Sequence, residues 1–376
     1  MRKKKINILF VLIQINMGGT ERIVLDLIRK LDHSKYRIYL VYFINGILEN
    51  KFKDICYGVF NISKKEGFDP IAMLKISKLI QEHQIDVINA HHYMPFFYSY
   101  VGSKVLHRRK LIYTEHSVAE VKTVLSSKHK KLLSLMTRNT DCILGVSSEI
   151  EIILKNAFPN SSERVQSIIN GVDIDRFIFS TDRNKLRAKW QISPDHLAIG
   201  VIANFRKVKN HICLIRAFSR LCETHPQLRL LFVGKGFPED IENSEYEIKQ
   251  LINDFNIQDR VIMMGYQEDI PSILKTFDIF CLPSFSEGLP VSILEAMAAK
   301  VPVIGSDVWG IREVISHEKT GLLFLSNDDF ALERELERMI NDRNLRESIS
   351  CNAFNYVNQH HGMQQWIAAY DRLFDI

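Results

Sequence analysis

Apolar residues along this chain fall into two alternating rhythms. Short β-branched runs recur at regular intervals, and helical patterns with apolar positions three and four residues apart fill most of the gaps. The runs predict strands over residues 6–13, 37–43, 86–89, 110–114, 141–146 and 165–169 in the first half. In the second half they predict strands over 198–203, 228–233, 260–264, 278–282, 301–305 and 321–325. Strands that alternate with helices pair in parallel and are covered on both faces, and here the pattern occurs twice. Ligands of such sheets bind beyond the carboxyl ends of the strands. Asn170-Gly171-Val172-Asp173 reads as a turn, and the polar stretch Ser180–Asn184 comes after it. The expected division is therefore 1–178, 179–358 and a closing segment 359–376. That segment carries Met363, Trp366, Ile367, Tyr370 and Phe374 on one helical face, which must be covered by one domain or the other.

The length of 376 residues fits two domains better than one core. No apolar run approaches a membrane span. Met1–Ile6 has the charge of a signal peptide, but Asn7 and Gln14 interrupt the apolar run after it, and the segment reads as a first buried strand. Six scattered cysteines without a C-x2-C pair suggest reduced thiols rather than a disulfide frame or zinc site. The net charge of +5 hides an asymmetry. Residues 1–180 hold 27 Lys and Arg against 17 Asp and Glu, and the remainder holds 22 against 27. Between Lys104 and Arg138 stand nine basic residues and two acidic ones. A basic half points to a polyanionic neighbour, an anionic membrane leaflet first. Nucleic acid ranks behind it, because no DNA- or RNA-binding motif accompanies the charge.

The densest chemistry lies in Pro283-Ser284-Phe285-Ser286-Glu287-Gly288-Leu289-Pro290-Val291-Ser292-Ile293-Leu294-Glu295-Ala296-Met297-Ala298. An apolar run ends in a Pro/Ser/Gly loop holding Glu287, and a helix then opens that holds Glu295. Two carboxylates and a row of free backbone N–H groups can face one ligand at that helix start. A sugar nucleotide needs such a set: donors for phosphate, carboxylates for hydroxyls. The segment closely resembles the E-x7-E signature of retaining glycosyltransferases of family 4, which have the GT-B fold.

Other strand ends extend the resemblance. Gly18-Gly19-Thr20-Glu21-Arg22 is similar to the family's Gly-Gly-x-Glu-Arg opening, which lies at the donor phosphates and the acceptor. Asp86–Tyr93 matches the family's His-x-His in part: Asn89 stands where the first His often is, and His91 takes the place of the second, which faces the reacting sugar. Thr114-Glu115-His116 resembles the family's Thr-Glu-His, which either lines the acceptor cleft or caps a strand. In Asn204-Phe205-Arg206-Lys207-Val208-Lys209, three cations come after a strand, as a diphosphate requires. The resemblance puts Lys209 on the diphosphate, with Arg206 as its companion, although the family's Arg commonly stands where this chain has Asn204. Val233-Gly234-Lys235-Gly236 fails the dinucleotide fingerprint at Glu239. Gly234 and Tyr266, in Met264-Gly265-Tyr266-Gln267, fall at family strand ends beside the nucleotide. Asp173-Ile174-Asp175 is formally a metal-binding D-x-D, but its surroundings resemble the family's interdomain linker, and it is read as a hinge. Gly310–Val314 and Gly321–Leu323 are read as structural.

The resemblance covers nearly the whole chain and is strongest over residues 200–325. It implies a GT-B protein, two Rossmann-like domains facing a cleft, with the last helix crossing back to the first domain. The first domain would bind the acceptor and the second the sugar nucleotide. Glu295 would hold the ribose hydroxyls and Glu287 those of the sugar. Arg206, Lys209 and N–H groups near Gly288 and Leu289 would stabilise the leaving diphosphate, and His91 would orient the sugar near C6. Gly18 and Gly19 complete the donor set, and neither a metal nor a cofactor is required. The implied reaction is retaining hexosyl or N-acetylhexosaminyl transfer, from a UDP-sugar slightly ahead of GDP-mannose, to a glycan or lipid-linked acceptor. Bacterial surface-polysaccharide synthesis on the inner face of the plasma membrane would be its setting, with the protein cytoplasmic and peripherally attached. The rivals are a sugar-nucleotide epimerase of similar fold and a membrane-associated binding protein without turnover.

Overall fold

The structure is a computed structural model that describes residues 4–16, 18–238 and 240–375. Met17 of the first glycine loop and Glu239 lie outside the described residues. The chain divides into two compact units, residues 1–170 with 364–376, and residues 171–363. The expected division at 178 thus falls eight residues later than this one. Val172 explains the difference: it pairs with Gly362, and its N–H donates to the His361 carbonyl at 2.8 Å, so the turn residues belong with the second unit.

The first unit is built on seven strands: β1 (Ile6–Gln14), β2 (Tyr36–Ile44), β3 (Gly58–Asn61), β4 (Val87–His91), β5 (Lys110–Glu115), β6 (Cys142–Gly145) and β7 (Val165–Ser167). They pair in parallel in the order β3-β2-β1-β4-β5-β6-β7. Helices cover both faces, so the central strands are apolar on both sides: Ile8 to Leu12 are all buried. β3 is absent from the sequence expectation. It is four residues long, lies at the sheet edge and is only half-buried, so Gly-Val-Phe-Asn shows no alternation to read.

The second unit has six strands: β8 (Leu197–Ile202), β9 (Leu228–Val233), β10 (Val261–Gly265), β11 (Ile279–Leu282), β12 (Val303–Ser306) and β13 (Leu322–Phe324). Their order is β10-β9-β8-β11-β12-β13, again all parallel. Each sheet reverses its direction of growth once, between β1 and β4 in the first unit and between β8 and β11 in the second. In open parallel sheets the crevice beyond such a reversal receives the ligand. The glycine loop, the Arg206–Lys209 cations and the E-x7-E segment lie in the connections after β1, β8 and β11, His91 ends β4 with His92 next to it, and Thr114-Glu115-His116 closes the neighbouring β5.

The last helix, Met363–Phe374, belongs to the first unit from Gln364 onward. Trp366, Tyr370 and Phe374 are buried, while Ile367 is only half-buried. The Phe374 ring meets Phe10 edge-on at 5.9 Å and Tyr36 at 6.1 Å. Lys35 pairs with Asp375 at 2.6 Å, and Lys110 Nζ donates to the Asp375 carbonyl at 2.7 Å. All six cysteines are free thiols.

The basic stretch of the first unit is not one uniform patch. Lys104 is drawn to Asp141, Lys110 to the C-terminal helix, Lys122 to Glu149, and Arg109 is half-buried. Arg108, Lys128, Lys130, Lys131 and Arg138 are exposed and make no ion pair among the described residues. Helix Lys130–Thr137 buries Leu133 and Met136 and exposes Leu132 and Leu135 beside these lysines.

Candidate functional site

In the second unit the loops after β8 and β11 are tied together. The Phe285 N–H donates to the Val208 carbonyl at 2.8 Å, and Ser306 Oγ donates to the Ser284 carbonyl from β12. This fixes two side chains that stand 78 residues apart. Lys209 Nζ donates to both carboxylate oxygens of Glu287, at 2.7 and 2.9 Å, and Ser284 Oγ donates to Oε1 at 2.6 Å. The Glu287 side chain is 9 % exposed and that of Lys209 25 %, so the pair is only partly solvated. A bidentate charge-assisted bond of this kind sets both groups with little freedom.

Arg206 is placed differently. Its Nε donates to Asp240 at 2.8 Å, and its side chain is 46 % exposed. The residue pairs with Asn243 across an isolated antiparallel bridge, which turns it toward the segment after Gly236. The structure therefore brings Lys209 and Glu287 together and engages Arg206 with another carboxylate.

The glycines of this unit shape backbone. Gly234 lies at φ +145°, and a Cβ there would stand 2.0 Å from the Ala203 carbonyl oxygen, so no side chain fits. Its N–H donates to the Gly265 carbonyl at 2.9 Å, which links the end of β9 to the end of β10 just before the half-buried Tyr266. Gly310 lets the short helix Trp309–Arg312 come up against the E-x7-E loop: a Cβ would stand 2.4 Å from the Glu287 carbonyl oxygen and 2.6 Å from that of Gly288. Glu287, Gly288 and buried Leu289 are thus supported from behind. Helix Val291–Ala298 then starts at Pro290 with no side chain capping it, which leaves first-turn N–H groups for other acceptors. Glu295 is on this helix and 4 % exposed. In the hinge, Asp175 is exposed beside buried Ile174.

In the first unit the switch strand β1 leads into Gly18-Gly19-Thr20 at the start of the next helix, and β4 ends at His91, followed by His92. Gly18 precedes helix Gly19–Lys30, and the Glu21 carboxylate folds back against it, 2.1 Å from where a Cβ would stand. Nothing lies within 4 Å of the Cβ position of exposed Gly19. Glu21 is buried, and burial pushes its carboxyl up, although N–H groups of Glu21 and Gly18, the His92 charge and Gln14 work against the shift.

His91 is 1 % exposed and stacks on Phe10 at 5.9 Å. Its Nδ1 meets His116 Nε2 at 2.8 Å, and its buried Nε2 has no partner. Burial, then the neighbouring charge of His92, lower its pKa to about 3, so the ring is neutral. His116 is pushed down by burial first, then by His91 and His92. His92 has the opposite fate. Its Nδ1 lies 2.9 Å from both Glu115 and Glu120, and its Nε2 lies 3.0 Å from Thr20 Oγ. Burial opposes its charge, but the two carboxylates outweigh burial and hold it well above the ordinary range. Glu115, fully buried, is held low in turn: burial raises it, and His92, Tyr113 and the Ser117 N–H overcome that. His92 also sits at φ 71°, ψ 164°, a region nearly reserved for glycine, which costs a residue with a Cβ about 1–3 kcal/mol.

Sequence reasoning noted the His91-His92 doublet and Thr114-Glu115-His116 separately and gave His92 no role. Their meeting depends on the register His91↔Thr114 between β4 and β5, which no local pattern announces. Ligand atoms of His92, Glu115 and Glu120 lie within 4.8 Å of one another, the span of a metal centre. Yet Glu115 Oε1 already accepts from the His116 and Ser117 N–H groups and its Oε2 from Tyr113, so hydrogen bonds account for the set without an ion. This is the one such group of three among the described residues, and Asp173 and Asp175 are not in it.

Comparison with known proteins agrees with this architecture. The model for Glycosyltransferase Family 4 matches residues 17–176, and that for glycosyl transferases group 1 matches residues 182–356. The chain is 25% identical over 368 residues to N-acetyl-alpha-D-glucosaminyl L-malate synthase of Bacillus anthracis, covering 96% of this chain and 94% of the relative. It is 25% identical over 373 residues to UDP-Gal:alpha-D-GlcNAc-diphosphoundecaprenol alpha-1,3-galactosyltransferase of Escherichia coli, covering 94% of this chain and 95% of the relative. The crystal structure of Anabaena HepE in complex with UDP and glucose superimposes with a TM-score of 0.86 at 21% identity, over 97% of this chain and 98% of that one. With two parallel α/β units and the two family models together spanning nearly its whole length, the chain belongs to the family 4 glycosyltransferases of GT-B fold.

Proposed function

We propose that the protein is a retaining, metal-independent glycosyltransferase. It moves a hexosyl or N-acetylhexosaminyl unit from a UDP-sugar to a lipid-linked or glycan acceptor in bacterial surface-polysaccharide assembly. The observation that carries this reading is the Lys209–Glu287–Ser284 arrangement at the switch point of the second sheet, where a cation and an acceptor are held ready beside a helix start.

In this reading Lys209 meets the donor diphosphate, and Arg206 joins it by leaving Asp240. That exchange is cheap, because a half-exposed ion pair contributes little. These cations, with N–H groups near Gly288 and Leu289, stabilise the charge that grows on the leaving diphosphate, which supplies what a metal would otherwise supply. Glu287 holds sugar hydroxyls and Glu295 the ribose. His91 offers its neutral, unpartnered Nε2 to the sugar. The acceptor attacks the face that the diphosphate leaves, and the departing phosphate takes the acceptor proton.

A UDP-sugar is favoured because the E. coli relative is named for UDP-Gal and HepE was crystallised with UDP. The same relative is named for a diphosphoundecaprenol acceptor. The exposed Arg108, Lys128, Lys130, Lys131 and Arg138 beside Leu132 and Leu135 suit an anionic leaflet, and no helix among the described residues is long and apolar enough to cross a membrane. The test is transfer from a panel of UDP- and GDP-sugars to polyprenyl-diphosphate sugars, in chelator, with the anomeric proton coupling of the product read by NMR. Retention in chelator is expected. An inverted product, dependence on a divalent ion, or conversion of the sugar nucleotide without an acceptor would each overturn the reading.

A further inference from the structure

The unusual feature of the first unit is a histidine forced into a glycine-like backbone conformation and bonded on both ring nitrogens. Three segments meet at this ring: Thr20 from the first turn of helix Gly19–Lys30, Glu115 from the end of β5, and Glu120 from the first turn of helix Val118–Ser126. Two carboxylates on Nδ1 require that nitrogen to carry a hydrogen. A neutral imidazole would then have a bare Nε2, and the Thr20 hydroxyl would have to donate to it. With both nitrogens protonated the bond reverses. Nε2–H donates to Thr20 Oγ, and the hydroxyl hydrogen is freed for another oxygen.

We propose that His92, clamped on Nδ1 by Glu115 and Glu120, donates its Nε2–H to Thr20 Oγ and thereby makes the Thr20 hydroxyl a hydrogen-bond donor to a phosphate oxygen bound at Gly18-Gly19-Thr20. Thr20 is half-buried, beside an exposed glycine with open space around it, at the start of a twelve-residue helix with no side-chain cap. The folded-back Glu21 carboxylate already takes the N–H groups of Gly18 and Glu21, so the Thr20 hydroxyl is a donor that a phosphate there needs. His92 is a positioning residue, since it acts through Thr20. The assignment rests on the glycosyltransferase reading for the identity of the ligand but not for the state of the ring. The other groups facing His92 are Glu21 on the first helix, neutral His91 and His116, and the Tyr113 hydroxyl that donates to Glu115.

The ring is tested in the full-length protein labelled with 15N-histidine, with His92 assigned by comparison with His92→Gln. Both His92 nitrogens should keep their protons well above the pH at which an ordinary imidazole loses one, and in Glu120→Gln the transition should move down by a unit or more. A ring that titrates as an ordinary imidazole in the native protein would overturn the proposal. So would stoichiometric Zn²⁺ uptake lost in Glu120→Gln, which would make the cluster a metal centre. The ligand is tested with UDP and with a short-chain polyprenyl diphosphate. Thr20→Val should weaken one of them about tenfold or more, as for a lost bond to a charged oxygen, while Thr20→Ser keeps it. Which of the two is affected identifies the phosphate as the donor's or the acceptor's; no effect on either refutes the proposal. Finally, release of UDP from the preferred donor should be flat from pH 6.5 to 8 in the native protein and in Glu120→Asp. In Glu120→Gln it should begin to fall at a lower pH than in the native protein, because His92 has lost one of the two carboxylates that hold its proton. An equal loss at every pH would mean the cluster is only structural. If no sugar nucleotide binds at all, the glycosyltransferase reading fails, while the ring titration still decides the state of His92.

Discussion

Replacing Lys209 with methionine separates what its ion pair does for the fold from what it does for the reaction. Methionine keeps the unbranched chain out to Cε and removes the ammonium. Glu287 then loses two bonds of 2.7 and 2.9 Å and keeps the one from Ser284. A bond to a charged group is worth about 1.5–3 kcal/mol when its partner is deeply buried. Here the lysine is a quarter exposed and water can replace part of the loss, so about 2 kcal/mol is the expected cost in stability. For a unit of this size that corresponds to a melting point lower by roughly 4–8 °C. Loss of one preorganised cation at the departing diphosphate should lower turnover about 10²–10³-fold, with a smaller rise in the donor KM, because the charge matters most when the bond breaks. Calorimetry and steady-state release of UDP read the two effects on the same samples. A variant that melts lower but turns over normally would show that Lys209 only braces Glu287, and the diphosphate assignment would fall.

Other outcomes depend on single features. Phe374→Ala removes a fully buried ring from Phe10 and Tyr36 and should cost about 3–5 kcal/mol, read by chemical denaturation of the full chain. His91 and His211 are buried neutral, each lowered to about 3 by burial first and a neighbouring cation second. Their unfolded pKa is about 6.5, so the stability they lend is complete above that value. It should be lost as pH falls toward 3, at about 1.4 kcal/mol per pH unit for each. His211 packs on Phe205 and Phe232 with both ring nitrogens unpartnered, so His211→Phe should flatten the acid limb of the stability profile without loss at neutral pH. Binding to anionic liposomes should fall steeply with salt and vanish for neutral ones, since each exposed Lys or Arg is worth about 1 kcal/mol at such a surface and is screened within a Debye length. Salt-indifferent binding would show that the five exposed cations are only a solvated face.

Much of this architecture is readable from the order of residues. The apolar runs that mark β1, β2 and β8 to β13 are long or β-branched and bounded by turns, and parallel strands buried on both faces announce themselves this way. Gly58–Asn61 does not, because an edge strand needs little apolar surface. Glu287 and Lys209 were legible as residue types at strand ends, and the structure joins them. Arg206 was legible as a cation but not as the partner of Asp240, because that contact depends on the path of the loop after Gly236. His92 was hidden for a different reason. Its role comes from a strained backbone angle and from the β4–β5 register, and both are consequences of tertiary structure that leave no periodic trace.

The central claim is that the second unit holds a sugar nucleotide through the E-x7-E segment. Its most direct test is calorimetric titration of the full-length protein and of Glu295→Ala with UDP, UDP-glucose, UDP-N-acetylglucosamine and GDP-mannose. The native protein should bind at least one of these. Glu295→Ala should bind it about 2 kcal/mol more weakly, the scale for losing hydrogen bonds to a charged acceptor, with its fold intact by circular dichroism. No binding of any sugar nucleotide to the native protein, or unchanged affinity in a folded Glu295→Ala, would contradict the account.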